Sequence, residues 1–495
     1  MTKYKTSAKS APKGRNIMWL SELLKHVDAK GNYKDVEITG VTEDSRQCRE
    51  GYVFVCTQGA NVDGHNYVPQ ALEKGAVAIV AARDTGAENQ VLCENTREAY
   101  TLMCANFFGN PAEKLKLIGI TGTNGKTTTA FMLYGILSAA GHKCGLIGTV
   151  TNIIDGEREY SGLTTPTPFE LQQTFKKMAD CGTEYCIMEV SSQALVQCRV
   201  AGCEFEAAVF TNLTRDHLDY HGTLEAYADA KAMLFKQSKI AVMNYDDEAK
   251  DKMLEGSACK VFTYSAKSDD SDFSAKYVRL HDTGVDYTIV GDGGIINRVN
   301  VCMPGMFNVY NSAAAIVCCV AVGMDISDAC EYMKTVKGVP GRAEIVETDT
   351  PYRVIIDFAH TPDGLENIIS SLNKYKKGRV IAVFGCGGDR DRTKRPLMGR
   401  TVGQLADIAV VTSDNPRTED PDAIIKDILE GMKNVTIPVH VEADRTKAIA
   451  YAMGIAQEGD IVLLAGKGHE DYQIIGTTKI HYDEREIVKG ILSAK

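Results

Sequence analysis

Hydrophobic and polar positions alternate along the chain in short blocks that predict an α/β protein. In the first part of the chain, apolar runs at 51–56 (GYVFVC) and 76–81 (AVAIVA) are separated by a helix-like segment at 68–74. Runs of this length are typical of buried strands, and the spacing between them fits a crossover helix. We predict a small α/β domain over 19–110, preceded by a flexible tail at 1–18.

The second block of the pattern has the order strand, glycine-rich turn and helix. The apolar run at 115–120 (LKLIGI) is followed by glycines and then by a helix-like segment at 127–140. Residues 265–300 instead have the glycine-rich turns of β-hairpins. Two further strand-like runs lie between these segments, at 185–190 and 207–211. We predict a doubly wound parallel sheet of the P-loop type for residues 111–337.

The sequence GVPG at 338–341 interrupts the pattern, because two glycines flank a proline. Beyond it, strand-like runs alternate with helical segments, at 352–357, 379–385, 408–413 and 460–465. This alternation predicts an open, Rossmann-like α/β domain over 338–495. The whole chain is therefore expected to be an α/β protein of three domains.

Composition and charge narrow the class of protein. The 495 residues carry 55 Lys and Arg against 65 Asp and Glu, a net charge of −10, which disfavours a nucleic-acid-binding surface. No stretch approaches the roughly 18 apolar residues of a spanning helix, and no apolar segment of a secretory signal follows the basic tail. The 15 cysteines include no C-x-x-C pair, which favours reduced thiols. We expect a monomeric cytoplasmic protein that acts on small molecules, with neither a nucleic acid partner nor membrane insertion.

The turn after the first strand of the second block has the composition of a phosphate-binding loop. It reads GITGTNGKTT from Gly119 to Thr128, with Ile120 where G-x-x-x-x-G-K-[ST] would have its first glycine. The amides of such a loop and of the following helix N-terminus surround phosphate oxygens, while Lys126 offsets charge and the Thr127 hydroxyl can reach Mg²⁺. ATP is the predicted ligand. Its expected contacts are Gly122, Thr123, Asn124, Gly125, Lys126, Thr127 and Thr128.

The variant TGTNGKT resembles the loop of the Mur ligase and folylpolyglutamate synthetase superfamily. Separated motifs extend the resemblance from about Trp19 to the C-terminus. It implies an ATP-dependent, Mg²⁺-using ligase that activates a carboxylate as an acyl phosphate. The activated carboxylate is then joined to an amino acid during cell-wall precursor synthesis.

Two motifs that follow strand-like runs supply candidate metal ligands. Glu189 lies in MEVSS and His217 in NLTRDHLDYH, where open α/β sheets place their ligands. By resemblance, Lys231 corresponds to a lysine that most Mur ligases carbamylate, and a carbamate would offer two anionic oxygens to a metal ion. The predicted catalytic residues are Lys126, Glu189, His217 and Lys231. The predicted metal ligands are Thr127, Glu189, His217 and, if carbamylated, Lys231.

The resemblance also implies the carboxylate-bearing substrate, UDP-N-acetylmuramoyl-L-alanyl-D-glutamate. The segments TTP at 164–166 and SSQALVQCR at 191–199 resemble those that hold its peptide, and DSR at 44–46 resembles the uridine-nucleotide domain. Hydroxyl groups and arginines suit a polar, anionic ligand. Gln193 departs from the histidine often found after the two serines, so no imidazole role is carried over there. The predicted contacts are Ser45, Arg46, Thr164, Thr165, Ser191, Gln197 and Arg199.

Further nucleotide contacts are implied around the second domain boundary. Asn308 and Asn311 begin a long apolar helix, where capping is the ordinary role of an asparagine, and the family uses such a pair near the base. Arg342 and the DFAHTP segment, with Asp357 and His360, resemble the elements by which the third domain closes on the ribose and phosphates.

The motif DNPR at 414–417 resembles the signature of family members that add meso-2,6-diaminopimelate, whereas lysine-adding relatives lack its arginine. Diaminopimelate has a distal carboxylate that a guanidinium binds in a fork, and lysine has none. Without the family, DNPR would be read as a turn with an aspartate cap. The predicted amino-acid contacts are Arg390, Asp414, Asn415, Arg417, Gly466 and Glu470.

Three competing functions are compatible with parts of the sequence. The first is the same ligase with lysine as the added amino acid. The second is a folylpolyglutamate synthetase, against which the DNPR motif and the first domain argue. The third is a P-loop ATPase that converts hydrolysis into a conformational signal and ligates nothing.

Overall fold

The computed structural model describes residues 17–59, 62–291 and 294–493, which form three successive α/β units. The tail predicted at 1–18 lies outside the described residues except for its last two positions. Met18 is part of a strand rather than of the tail, because it pairs with Ile38 and packs against the first hydrophobic core. The domain boundaries near 110 and 338 stay predictions.

The first unit is a four-stranded parallel sheet with a two-stranded sheet beside it. Its strands are β1 (Met18–Trp19), β2 (Glu37–Ile38), β3 (Gly40–Thr42), β4 (Tyr52–Val55), β5 (Ala76–Ala81) and β6 (Gln90–Leu92). Its helices are α1 (Leu20–Leu23), α2 (Val68–Glu73) and α3 (Thr96–Phe107). The strands of the sheet run in the order β3-β4-β5-β6, and α3 buries Met103 and Phe107 in the same core as Val53 and Val80.

The second unit is built on an 11-stranded sheet. Its strands are β7 (Lys116–Thr121), β8 (Cys144–Ile147), β9 (Asn152–Ile154), β10 (Glu157–Glu159), β11 (Tyr185–Glu189), β12 (Phe205–Phe210), β13 (Ser238–Asn244), β14 (Lys260–Ser265), β15 (Phe273–His281), β16 (Gly284–Gly291) and β17 (Ile295–Val301). Its helices are α4 (Lys126–Ala139), α5 (Pro168–Asp180), α6 (Ser192–Val196), α7 (Leu218–His221), α8 (Leu224–Ala232), α9 (Lys250–Leu254), α10 (Met306–Ala321) and α11 (Ile326–Met333).

The order of the strands in this sheet brings the predicted motifs together. The parallel strands β8, β11, β7, β12, β13 and β14 are neighbours in that order, so β7 lies between β11 and β12. The carboxyl ends of these three strands lead into the phosphate loop, Val190 and Thr211. The predicted hairpins are confirmed as β15, β16 and β17, which pair with one another in antiparallel fashion, while β15 joins the sheet parallel to β14.

The third unit is a six-stranded sheet in the order β18-β19-β23-β20-β21-β22, parallel except for the first pair. The strands are β18 (Glu344–Val346), β19 (Arg353–Asp357), β20 (Val380–Phe384), β21 (Ile408–Val411), β22 (Val439–Val441) and β23 (Ile461–Ala465), with the hairpin β24 (Tyr472–Ile475) and β25 (Thr478–His481). The helices are α12 (Pro362–Asn373), α13 (Lys394–Leu405), α14 (Pro421–Glu430), α15 (Arg445–Ile455) and α16 (Glu484–Ser493). Within the described ranges, no helix is both long and apolar enough to cross a membrane.

Arg445 and Glu484 form a fully buried ion pair between α15 and α16. The Arg445 Nε donates to Glu484 Oε1 at 2.8 Å, and its Nη2 donates to the carbonyl oxygen of Ala465 at 2.9 Å. Each charge depends on the other, because an unpaired ion is costly in a low-dielectric interior. The pair therefore ties both helices to the end of β23.

We expect Glu484→Gln to lower the free energy of unfolding of the third unit by about 3–5 kcal/mol, because it leaves the Arg445 charge buried without a partner. Urea denaturation of the whole chain, followed by circular dichroism, measures the loss. The matched control is Lys176→Ala, which breaks the exposed Lys176–Asp180 pair on α5 and should cost less than about 1 kcal/mol. Equal effects of the two substitutions would contradict this account of the buried pair.

Candidate active site

The phosphate loop lies at the carboxyl end of β7 and leads directly into α4. Gly125, with φ +86°, is the last residue before the helix begins at Lys126. The first amides of a helix have no partner within it, and they carry partial positive charge. This turn is therefore built to receive an anion.

Two positions of the loop require glycine. A Cβ on Gly122 would lie 1.9 Å from Thr211 Oγ1, and a Cβ on Gly125 would lie 2.4 Å from Asn311 Oδ1. The neighbouring strand end also holds the loop: the Thr211 hydroxyl donates to the carbonyl oxygen of Asn124 at 2.6 Å, and the Asn124 amide donates to Asn212 Oδ1 at 2.9 Å. The shape of the loop is thus set by protein contacts alone.

Lys126 points back over the loop. Its Nζ donates to the carbonyl oxygens of Gly122 and Thr123, both at 2.8 Å. Burial lowers the pKa of Lys126. Within the described part of the chain this ammonium has no carboxylate partner, so its charge remains available to an anion in the loop.

A chain of polar contacts runs from the third unit through the loop to β11. Arg342 Nη2 donates to Thr127 Oγ1 at 3.2 Å, and the Thr127 hydroxyl donates to Glu189 Oε2 at 2.9 Å. The Arg342 guanidinium also lies 4.6 Å from the centroid of the Phe358 ring. Its buried Nε has no hydrogen-bond partner among the described residues, which leaves a donor for a bound phosphate.

Thr127 and Glu189 could hold a divalent cation. Glu189 is 1% exposed, and Thr149 donates to it from its amide at 2.8 Å and from its hydroxyl at 3.1 Å. No cluster of three or more His, Cys, Asp or Glu side chains with metal-binding geometry occurs in the described ranges. Mg²⁺ needs no such cluster, because it takes one or two carboxylates together with phosphate oxygens and water. This donor set fits Mg²⁺ beside a nucleotide.

The other two predicted catalytic residues differ in their surroundings. His217 is half-exposed, with its Nε2 3.6 Å from Asp216 Oδ2. Lys231 is buried, its Nζ donates to the carbonyl oxygen of Gly122 at 2.9 Å, and it lies 4.3 Å from the centroid of the Tyr227 ring. Burial, aided by the nearby Lys126, holds the pKa of Lys231 well below its usual value.

A cavity of about 880 Å³ opens between the phosphate loop and the third unit. Most of the predicted ATP contacts line it: Thr123, Asn124, Gly125, Lys126, Thr127, Thr128, Asn311, Arg342, Asp357 and His360. Thr164, Glu189 and His217 line it as well, whereas Gly122 and Lys231 lie behind the loop. Asn308 also lies behind the wall, where its Oδ1 accepts from Asn311 Nδ2 at 3.2 Å.

Two carboxylates of the third unit lie on its side of the cavity, and one of them contacts the loop. Asp357 accepts from the amides of Ala343 at 2.7 Å and Ala359 at 2.8 Å, and burial raises its pKa while the Arg342 charge opposes this. Asp363 at the start of α12 accepts from Asn124 Nδ2 at 2.7 Å. The loop and the third unit are therefore in direct contact.

The residues predicted to hold the carboxylate substrate fall into two groups. One group is connected: the Arg199 Nη1 donates to the carbonyl oxygen of Thr165 at 2.7 Å and its Nη2 to Gln197 Oε1 at 2.7 Å, while the Ser191 amide donates to Thr165 Oγ1 at 3.1 Å. Thr164 reaches the side of the cavity that holds Glu189, with its hydroxyl 3.0 Å from that of Thr149.

The second group lies in the first unit, away from the cavity. Ser45 is buried and donates to Gln70 Oε1 at 2.6 Å. Arg46 is exposed and makes a two-point contact with Asp44, at 2.9 Å from both carboxylate oxygens. The structure does not bring these two residues to the central cavity, and their contact with a nucleotide stays a prediction.

The predicted amino-acid contacts gather at the carboxyl ends of β21 and β23. Asn415 Nδ2 donates to Glu470 Oε2 at 2.8 Å. A Cβ on Gly466 would lie 2.6 Å from Asp414 Oδ2, so glycine is required for the two strand ends to approach. Arg390 is exposed, and its Nη1 is 3.4 Å from the carbonyl oxygen of Asp389.

Arg417 is the unusual member of this cluster. It is half-buried with φ +52°, and its Nη1 donates to the carbonyl oxygen of Gly388 at 2.8 Å. Three other arginines of the third unit that are buried or half-buried have carboxylate partners: Arg395 with Glu419, Arg445 with Glu484, and Arg485 with Glu344. Arg417 has none within the described residues, so its guanidinium is free to pair with the carboxylate of a ligand.

The amino-acid cluster does not line the cavity, but a short bridge connects the two. Lys479 on β25 lies 3.4 Å from the centroid of the Tyr472 ring and 5.1 Å from that of Tyr160, a residue of the second unit. Tyr160 is four positions before Thr164, which lines the cavity. The hairpin of the third unit therefore contacts the segment of the second unit that leads to Thr164.

Sequence reasoning missed three residues that organise the site. Thr149 follows β8, and a hydroxyl at the end of a strand beside β11 was a usable signal. Asp363 looked like an ordinary acid in the first turn of a helix. Lys467, which contacts Asn415 and Glu470, carried no separate signal within GKGHE.

Three family models match the chain, one for each unit and in the same order. They are the Mur ligase family catalytic domain at residues 37–101, the Mur ligase middle domain at 120–319 and the Mur ligase glutamate ligase domain at 341–468.

Two relatives that match almost the whole chain have the same name. The chain is 45% identical to the UDP-N-acetylmuramoyl-L-alanyl-D-glutamate–2,6-diaminopimelate ligase of Clostridium tetani, over 96% of this chain and 99% of the relative. It is 46% identical to the enzyme of that name from Caldanaerobacter subterraneus subsp. tengcongensis, over the same shares.

Solved structures agree with these relatives. A structure of a ligase of the same name matches with a TM-score of 0.69 at 33% identity, over 97% of this chain and 99% of that one. The MurF ligase of Thermotoga maritima in complex with ADP shares the fold, with a TM-score of 0.59 at 22% identity over 86% and 93% of the two chains. Together with the three family models, these relatives show that the chain belongs to the Mur ligase family.

Proposed function

We propose that this protein is an ATP-dependent ligase that adds meso-2,6-diaminopimelate to UDP-N-acetylmuramoyl-L-alanyl-D-glutamate in peptidoglycan precursor synthesis. The observation that carries the choice of amino acid is Arg417, a half-buried guanidinium without a carboxylate partner in the described chain. The names of the relatives support the same substrates.

ATP would place its phosphates in the loop before α4. The N-terminal amides of the helix, Lys126 and the free Nε of Arg342 are donors directed at that position. When bound through Thr127 and Glu189, Mg²⁺ would offset the charge of the phosphate oxygens. Asn311 and the third-unit residues Asp357 and His360 would contact the base and ribose.

In the first chemical step, an oxygen of the D-glutamyl γ-carboxylate attacks the γ-phosphorus of ATP, and the bond to the β-phosphate oxygen breaks. ADP leaves, and an acyl phosphate remains. Lys126 and Arg342 lower the charge repulsion between the carboxylate and the triphosphate, so positioning and electrostatics account for most of the catalysis.

In the second step, the amine nitrogen of the amino acid attacks the acyl carbon and loses a proton, and the carbon–oxygen bond to phosphate breaks. The products are an amide and inorganic phosphate. Closure of the third unit over the loop, through Asp363 and Arg342, would keep water away from the acyl phosphate.

The UDP-linked peptide would lie between the first two units. Thr164, Thr165, Ser191, Gln197 and Arg199 supply hydroxyl, amide and guanidinium groups beside the cavity. Ser45 and Arg46 would contact the uridine diphosphate, and for this Arg46 has to leave its pairing with Asp44.

Lys231 and His217 would act on the metal side. The lowered pKa of Lys231 favours the neutral amine, which is the form that reacts with CO₂ to give a carbamate. A carbamate would turn a cation close to the metal site into an anion, and this would remove a repulsion from Mg²⁺.

At the amino-acid site, a zwitterionic amino-acid head has complementary partners. Arg417 suits its carboxylate, and the Glu470 carboxylate, which the Asn415 amide holds in place, suits its ammonium group. Diaminopimelate presents such a head at the end distant from the reacting amine, whereas lysine presents only an ammonium group. Lysine would leave Arg417 desolvated and unpaired, so a lysine-adding ligase is disfavoured.

A folylpolyglutamate synthetase and a simple ATPase fit the structure less well than this ligase does. Folylpolyglutamate synthase of Mycobacterium tuberculosis, solved with ADP and AMPPCP, shares the fold at 20% identity but matches only 75% of this chain. A P-loop ATPase without a ligated product would have no use for the amino-acid cluster.

The location and the oligomeric state stay proposals. ATP and a UDP-linked substrate are compounds of the cytoplasm, and all 15 cysteines are free thiols, which supports a cytoplasmic location. We also predict a monomer.

We expect phosphate release by the purified protein to require ATP, the UDP-linked dipeptide and diaminopimelate together. Replacing diaminopimelate by lysine should lower kcat/KM by about 10⁴-fold, the penalty for leaving a buried polar group unpaired. Equal ATP hydrolysis with and without the two co-substrates would overturn the ligase proposal in favour of an ATPase.

Arg417→Ala should lower kcat/KM for diaminopimelate by about 10²-fold or more, because it removes the charged partner of the distal carboxylate. Discrimination against lysine should shrink at the same time. Arg400→Ala is the matched control, since Arg400 is an exposed arginine on α13 of the same unit and should have no effect on either amino acid. Unchanged discrimination in Arg417→Ala would refute the role of this residue in selectivity.

Glu189→Gln should raise the Mg²⁺ concentration needed for half-maximal activity by about tenfold or more, because a neutral amide is a poorer Mg²⁺ ligand than a carboxylate. Titration of the ligase reaction with MgCl₂ measures the change. Glu170→Gln, which alters a carboxylate at the start of α5, should leave the titration unchanged. Superimposable titrations of Glu189→Gln and the wild type would exclude Glu189 as a ligand.

A further inference from the structure

Lys467 is a fully buried lysine in the amino-acid cluster, and the proposed reaction gives it no role. Its Nζ lies 3.3 Å from Asn415 Oδ1 and 3.3 Å from Glu470 Oε2. Asn415 Nδ2 donates to the same Glu470 oxygen at 2.8 Å. An ammonium, an amide and a carboxylate therefore form a closed triangle beside Arg417.

The ammonium determines which way the Asn415 amide faces. Asn415 Oδ1 accepts from Lys467 and also from the Ile474 amide at 2.9 Å. A flipped amide would direct its NH₂ group at both of these donors, so the observed orientation is strongly preferred. As a result, the Asn415 Nδ2 always faces Glu470.

Lys467 also holds the Glu470 carboxylate. Burial raises the pKa of Glu470, and the Lys467 charge opposes that rise. The Tyr472 hydroxyl donates to the other carboxylate oxygen, Oε1, at 3.3 Å. Both oxygens of Glu470 thus have protein donors that restrict the rotation of the carboxylate.

A purely structural role does not account for a lysine at this position. A buried ion pair can be replaced as a whole by apolar side chains of similar volume without loss of stability, so packing alone does not require a charged pair at this position. The Nζ lies 5.7 Å and 5.9 Å from the centroids of the Tyr472 and Tyr482 rings, at the outer limit of useful cation–π contact. The close partners of the ammonium are the two residues that would bind the amino acid.

We propose that Lys467 is a positioning residue that fixes the Glu470 carboxylate, directly and through the Asn415 amide, in the orientation that receives the ammonium group of the incoming amino acid. This inference rests on the proposed function, because it assumes an amino acid at this cluster. Lys467 does not line the cavity, and its hydrogen bonds go to Asn415 and Glu470, so we expect its substitution to affect binding of the amino acid more than binding of ATP.

The test is steady-state kinetics of Lys467→Met, with each substrate varied in turn. We expect the KM for diaminopimelate to rise by about tenfold or more, as when a supporting contact of a bound group is removed. The KM for ATP should stay within about twofold of the wild type, because Lys467 makes no hydrogen bond with those described residues that are predicted to bind the nucleotide. The exposed Lys447→Met on α15 is the matched control and should change neither constant.

A double-mutant cycle with Glu470→Gln separates positioning from a general loss of structure. If Lys467 acts through Glu470, Lys467→Met should add less than about twofold to the KM for diaminopimelate once Glu470 is already glutamine. The double variant buries no unpaired charge, so it stays informative if Lys467→Met alone fails to fold.

Three results would overturn the inference. They are an unchanged KM for diaminopimelate in Lys467→Met, equal rises in all the KM values, and additive effects in the cycle. Failure of the wild type to release phosphate with diaminopimelate would instead refute the proposed function, so the two failures are distinguishable.

Discussion

A single hydroxyl group joins the parts of this protein that have to act together. Thr127 Oγ1 accepts from Arg342 and donates to Glu189, so the third unit, the phosphate loop and β11 meet at one buried atom. Buried polar groups have to be paired, and each partner therefore restricts the other two. The position of the third unit and the shape of the nucleotide site are consequently coupled, because a shift of either one would break these hydrogen bonds.

The two cationic side chains near this hydroxyl, Lys126 and Arg342, are not neutralised by carboxylates of the described residues, and an anionic substrate requires such unpaired cations. Lys126 is held by two carbonyl oxygens, and Arg342 retains a free Nε. Neither has a carboxylate within salt-bridge distance in the described chain. A triphosphate entering the cavity would therefore complete the pairing without displacing an internal ion pair.

In the amino-acid cluster as the structure describes it, one charged side chain is unpaired and the other is held by several protein donors. Arg417 has no acidic partner among the described residues, while Glu470 is held by Asn415, Lys467 and Tyr472. The buried Arg445–Glu484 pair lies behind the same strand ends and holds the carbonyl oxygen of Ala465 directly before Gly466. In the proposed function, recognition of the amino acid would thus depend on a layer of buried charge that a motif search does not include.

Sequence determined the three α/β units, the phosphate loop and the motifs at the strand ends, because strand runs, glycine turns and motif spacing are local properties of the chain. Tertiary structure alone decided what these motifs meet. Asp363 contacts Asn124 across 239 positions, and Lys467 reaches Asn415 across 52. Such contacts depend on the order of the strands in the sheets and on the closure of the domains, which bring distant segments together. The local pattern of hydrophobic and polar residues predicts neither the strand order nor the closure.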